Sequence, residues 1–259
     1  AHRDMYLDDD GNVIPNLSVT GILASGVPGT VAGMWLAHQR HGSLPWKALV
    51  QPAVTLAEDG FKVHPNLARS IKRHVKRLEK NGYELNFEEY FGAATENENF
   101  VQIELAETLK RIRDQGRDGF YKGETAKIFS DFMRSEKGLI TENDLLSYEA
   151  KVRTPIAASW REFELLTSPP PSSGGIAIIQ WLKMFDFLTQ DQQKLPHNSA
   201  AYLHLLAEIG KRVFADRAEY LGDPDFVSVH IAALIADDYI AKRSESVLRN
   251  KISETETVK

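Results

Sequence analysis

Ser168-Pro169-Pro170-Pro171-Ser172-Ser173-Gly174-Gly175 constrains this chain more tightly than any other stretch. Consecutive prolines fix φ and hold the backbone extended. Ser172 and Ser173 can each N-cap a helix. Gly174 and Gly175 then open a run, 176–185, that is apolar nearly all the way round, and such a helix is buried on most sides. Upstream, 154–158 and 162–167 read as two strands around Trp160-Arg161. A strand therefore runs into a rigid turn, then into a helix whose first residues lack Cβ atoms. Amides bared at such a start can bind an anion or a carbonyl oxygen. The commoner use of such glycines is close packing of helix on sheet. On that reading Gly175→Val costs more than Gly174→Ala.

With 259 residues the chain can build one large domain or two small ones, and 1–259 is read as a single domain ending in a frayed polar tail, 245–259. A net charge of −5 gives no support to a nucleic-acid partner. The absence of Cys removes disulfides, thiolate metal sites and a Cys nucleophile. No run is apolar enough to span a bilayer, and none reads as a signal peptide. Because it starts at Ala1, the chain is expected to be a processed or excised piece.

Taken in order, Met5-Tyr6-Leu7 and Val13-Ile14 flank Asp8-Asp9-Asp10-Gly11-Asn12, which reads as a hairpin with an Asp-Gly turn. A calcium loop fits poorly, since ligand spacing and a distal Glu are missing. Pro28 suits the start of a helix that runs to Gly42, with Gly26, Gly29 and Gly33 read as close-packing glycines. Ser43 is placed as the cap of a second helix, kinked or restarted at Pro52 and stopped at Gly60. Residues 66–80 form a third helix. Leu67, Ile71, Val75 and Leu78 line its inner face; Arg69, Lys72, Arg73, His74, Lys76, Arg77 and Lys80 make the other face basic. That face is either solvated or docks an anionic partner. Two more amphipathic helices follow, 101–115 through Ile103, Leu105, Leu109 and Ile112, and 123–137 through Ile128, Phe129, Phe132 and Met133. Thr141-Glu142-Asn143-Asp144 has the form of a capping box. Helices over 198–220 and 230–244 close the chain. Glu208, Arg212 and Asp216 stand four apart, which makes two opposite-charge pairs: salt bridges by default, or carboxylates beside a base.

No metal-ligand spacing, nucleophile elbow or base for Ser172 or Ser173 is visible. The residues alone describe an α+β chain, mostly helical, with no assigned activity.

The proline-serine-glycine stretch, 168–175, resembles that of the γ-glutamyltranspeptidase family. Ala24-Ser25-Gly26-Val27-Pro28-Gly29-Thr30-Val31-Ala32-Gly33 agrees, as do Gln51-Pro52-Ala53 with Leu56-Ala57-Glu58-Asp59-Gly60-Phe61. So do Gly119-Phe120-Tyr121-Lys122-Gly123 and 215–226, Ala215 to Phe226, all in the family's order. The resemblance implies a piece of an αββα N-terminal-nucleophile hydrolase whose precursor cuts itself into two subunits. It implies a nucleophilic N-terminal Thr on a small subunit and transfer of the γ-glutamyl group of glutathione to water, amino acids or peptides. This chain resembles the large subunit only. The family's carboxylate-binding Arg lies upstream of it and the Thr downstream, so no catalytic, substrate-binding or metal residue is assigned to a numbered position, and no cofactor is expected. The implied partners are the small subunit and glutathione or other γ-glutamyl compounds, in a periplasmic or extracellular setting. The fragment, lacking strand neighbours, is expected to be inactive alone and to self-associate. Alternatives are an acylase of the same superfamily, acting on cephalosporins or poly-γ-glutamate, or a non-catalytic module that uses the basic 69–80 face.

Overall fold

The computed structural model describes residues 2–82, 86–190 and 195–258. Helices dominate and the strands are few and short, which makes the fold α+β. The chain divides into two compact units, Ala1–Lys151 and Val152–Lys259.

The first unit opens on a tight turn rather than a full hairpin. Only Leu7 and Val13 bridge, and the Asp8 carboxylate accepts from the Asp10 and Asn12 amides. Helix α1 is Thr30–His41, starting two residues after Pro28. Helix α2, Trp46–Asp59, is preceded by Pro45 and receives no cap from Ser43, while Pro52 sits inside it. Strand β1 (Phe61–Lys62), α3 (Pro65–Lys80), α4 (Phe87–Phe91) and β2 (Asn99–Phe100) follow, with β1 and β2 antiparallel. Then come α5 (Ile103–Gln115), α6 (Asp118–Tyr121), α7 (Gly123–Ser135) and α8 (Glu142–Ser147). The capping box forms at Thr141, whose hydroxyl accepts from the Asp144 amide.

Helix α2 packs along α5. The Trp46 indole donates to the Ile112 carbonyl at 2.9 Å, and Arg113 donates to the Gln51 amide oxygen at 2.7 Å. This pairing reverses part of the predicted α5 face. Ala106 and Ile112 are buried, while Ile103 and Leu105 are exposed. In α7 the same correction applies, because Ala126 and Met133 face the core and Ile128 and Phe132 face outward. Periodicity marks an apolar arc, and the neighbour's position decides which edge of it is covered.

In the second unit, β3 (Ile156–Trp160) and β4 (Phe163–Thr167) pair antiparallel from Trp160↔Phe163 to Ile156↔Thr167. Arg161 turns the hairpin at φ 54° and grips Asp186 with two guanidinium nitrogens. Helix α9 (Gly174–Thr189) follows the turn, then α10 (Ala200–Tyr220), α11 (Ile231–Leu234) and α12 (Asp237–Glu245). Met184, Leu188, Leu205, Ile209, Val213 and Ile240 make one core; Ile156, Ile176, Ile179 and Leu234 make another between hairpin and α9.

The predicted single helix over 230–244 is two. Its break has a cause on α9, where Gln180 donates to the Leu234 carbonyl at 3.0 Å and Lys183 to the Ile235 carbonyl at 2.9 Å. Those carbonyls are satisfied from outside, so the chain can leave the helix there. The predicted frayed tail is also corrected. Val247 is buried, Arg249 donates to the Leu188 carbonyl, and Thr255–Thr257 forms a 3₁₀ turn.

Candidate functional site

The family-like stretches come together within each unit. In the first, Tyr121 is fully buried. Its hydroxyl donates to the Pro28 carbonyl at 2.5 Å and accepts from the Ala32 amide at 3.2 Å. The stretches 24–33 and 119–123 are thus tied by one phenol, whose pKa is raised by burial. Tyr148 stacks on the Tyr121 ring at 5.7 Å, and a Cβ on Gly29 would collide with the Tyr148 hydroxyl. Gly119 lies against the Arg111 carbonyl in the same way. Gly29 and Gly119 are therefore close-packing glycines. Gly26 and Gly33 have open space around them, which corrects the reading given to them above.

In the second unit the turn 168–175 is seated by both neighbours. A Cβ on Gly175 would collide with the Ser168 carbonyl and stand 2.6 Å from Thr167 Oγ1. Gly174 meets only Ser172 Oγ, at 3.7 Å. Close packing is thus the role of Gly175 and not of Gly174. Ser173 occupies the N-cap position of α9 but makes no capping bond; its hydroxyl instead accepts from Arg217 Nε at 3.0 Å. A guanidinium donates and takes no proton, so it cannot serve Ser173 as a base. Ser172 is exposed.

Behind this turn lies a buried polar cluster. Glu208 is 1% exposed and Arg212 3%. Arg212 donates to Glu208 Oε2 at 2.8 Å, as the spacing predicted. Asp216 departs from that pattern, since its partners are Arg243 at 2.7 Å and Gln180 at 2.9 Å. These are interior pairs rather than surface ones. Burial alone would raise the Glu208 pKa, but Lys211, Ser253 and Arg212 outweigh it and hold the carboxyl at about 2. Burial, then the charge of Asp216, pushes the Tyr239 phenol far above its ordinary range. Arg212 also donates to Ser246 Oγ at 2.9 Å and Ser253 Oγ at 3.2 Å, so the cluster pins the tail to α10. The chemistry of this set is structural: each ionised group is met by its counter-ion.

Gln180, Lys183, Arg217 and Arg243 were not singled out from sequence. Gln180 carried a signal, as the one amide in an otherwise apolar stretch of α9. The arginines and lysines of α3 are exposed, as expected from their spacing, while His74 is half-buried against the Phe87 ring. Among the described residues no cluster of His, Asp and Glu is arranged to hold a metal ion, and no helix is long and apolar enough to cross a membrane.

The chain matches the family described as Gamma-glutamyltranspeptidase over residues 1–259. It is 48% identical over its whole length to the glutathione hydrolase proenzyme of Pseudomonas aeruginosa, of which it covers 46%. Its fold superposes with a TM-score of 0.91 on the γ-glutamyltranspeptidase of Pseudomonas nitroreducens complexed with L-DON, at 48% identity, covering all of this chain and 76% of that one. For the Helicobacter pylori γ-glutamyltranspeptidase the TM-score is 0.89 at 35% identity, with 100% and 74% covered. The chain spans about half the length of the curated relative. Matched from end to end by the family's pattern, and close to half identical to a member throughout, this chain belongs to the γ-glutamyltranspeptidase family.

Proposed function

We propose that residues 1–259 are a single-domain part of the large subunit of a γ-glutamyltransferase and glutathione hydrolase, an αββα N-terminal-nucleophile enzyme made as a self-cleaving precursor. What carries the reading is the end-to-end likeness to a glutathione hydrolase and to transpeptidases at up to 48% identity. In the proposed reaction the N-terminal Thr of a small subunit attacks the γ-amide carbonyl of glutathione, and its own α-amine takes the hydroxyl proton. The tetrahedral oxyanion collapses, the C–N bond breaks and the amine leaves with that proton. Water or an amino acid then attacks the γ-glutamyl ester and frees the Thr. The enzyme works in the periplasm or outside the cell. The described residues serve as scaffold, and the Ser173–Arg217 bond supports that role, because it leaves the hydroxyl without a base.

Release of product from a γ-glutamyl anilide tests the proposal. The chain alone is expected to release none, since losing a nucleophile costs on the order of a million-fold. The precursor extended on both sides should cleave itself and turn over. Turnover by the chain alone that is lost in Ser172→Ala or Ser173→Ala overturns the reading and restores a serine mechanism. Turnover of a cephalosporin side-chain amide in place of glutathione by the extended precursor moves it to the acylase branch. Leu166 is 75% exposed on one face of the hairpin and Phe163 is exposed on the other, which supports self-association of the chain made alone.

A further inference from the structure

Arg69, Lys72, Arg73, Lys76, Arg77 and Lys80 are all exposed on α3. At about 100° per residue they share one arc, opposite the buried Ile71 and Leu78. Arg69, Arg73, Lys76 and Lys80 run nearly parallel to the helix axis over about 16 Å, at ~1.5 Å per residue. Among the described residues none of the six forms an ion pair. Glu79, Glu88 and Glu96 border one flank, beside Arg69, Lys72 and Lys76, without pairing with them. Arg69 with Arg73, Lys72 with Lys76, Arg73 with Arg77, and Lys76 with Lys80 stack like charges four apart, an arrangement that destabilises a helix. Arg69 bonds to Pro65 and Asn66 in the first turn and Arg77 to His74, but the stripe brings the fold no ion pair among the described residues, and it stands out from a chain whose net charge is −5.

Two kinds of anionic partner fit it poorly. A bilayer-lying helix needs its apolar face free, and here that face packs in the core. Single-stranded nucleic acid is held by aromatic residues interleaved with basic ones, and α3 has none. A narrow line of cations, half of them arginines with forked donors, suits a linear phosphate polymer tracked by charge alone.

We infer that the outward face of α3 binds a linear phosphate polymer through Arg69, Arg73, Lys76 and Lys80. The inference does not rest on the γ-glutamyl reading, and polyphosphate binding is measured without any turnover. Titrating the full-length enzyme with labelled inorganic polyphosphate across about 50–200 mM salt tests it. Contact with four phosphates should give a log–log salt slope of about −3, at roughly −0.7 per phosphate. R69Q/R73Q/K76Q should weaken binding at least about tenfold and cut the slope to about −1. The variant's thermal midpoint should hold or rise as like charges are relieved, and γ-glutamyl turnover should not change. Absence of saturable binding at the lower salt overturns the inference, as does a variant that binds like the parent. A clear fall in the variant's midpoint also overturns it, by making the stripe structural. Tighter binding to phosphatidylglycerol vesicles than to polyphosphate reassigns the face to membranes and overturns it as well.

Discussion

The Tyr121 joint and the Glu208–Arg212 cluster both fasten together parts of the chain that are distant in sequence, and they use opposite means. The first is neutral: one phenol, two backbone groups, a stacked ring and glycines cut away to let them meet. The second is ionic: Glu208, Arg212 and Asp216 buried, Arg243 half-buried beside them, with serine and amide partners around. A neutral joint has a modest desolvation cost and does not titrate until the phenol does. An ionic joint works only while every charge is matched, so its failure on losing one member is larger.

Arg212→Met should show the largest effect. It leaves Glu208 buried with Lys211 as its one remaining counter-ion and removes the bonds to Ser246 and to the Ser253 hydroxyl, and removing one partner of a buried pair costs about 3–5 kcal/mol. Urea denaturation measures it; a loss under ~1 kcal/mol would erase the contrast between the joints. Next comes Gly175→Val, at about 1–3 kcal/mol, because a branched side chain would have to displace the Ser168 carbonyl. Its neighbour sharpens the point. Gly174 has room and no positive φ, so Gly174→Ala should be neutral or gain up to ~1 kcal/mol. Equal losses at the two positions in thermal melts would remove the distinction between packing and free space.

Tyr121→Phe should cost about 1–3 kcal/mol through the unpaired Pro28 carbonyl and Ala32 amide, with no change in the loss between low and high salt. A salt-dependent loss would mean the joint is less neutral than its geometry. The smallest effect near neutral pH is the pH profile of Glu208. Its carboxyl is held at about 2, below its ordinary value of 4.5, so its contribution is complete above 4.5 and drains away as pH falls toward 2. Glu208→Gln should flatten that part of the stability curve, while Tyr121→Phe leaves its shape unaltered. A parent curve already flat between pH 4.5 and 2 would contradict the depressed carboxyl.

The sequence by itself determined what depends on a few adjacent residues. The Thr141 capping box, the Trp160–Phe163 hairpin, the basic face of α3, the Glu208–Arg212 spacing and the order of family stretches were all legible. All but the last are settled within a few turns of chain, by backbone hydrogen bonding and side-chain periodicity. Tertiary structure alone decided which partner a group takes when several are in reach. Asp216 pairs with Arg243 rather than with Arg212 four residues away, because α12 brings the second guanidinium onto the buried side of α10. Gln180 and Lys183 end a helix more than fifty residues downstream by taking its carbonyls. Gly29 is hemmed in by Tyr148 while Gly33, one turn on, has open space where a Cβ would stand, because Tyr148 comes from a distant part of the chain and reaches only the start of α1. Burial makes these choices binding: once water is excluded, each polar group must find a partner across the fold, and nothing in its local sequence names which one.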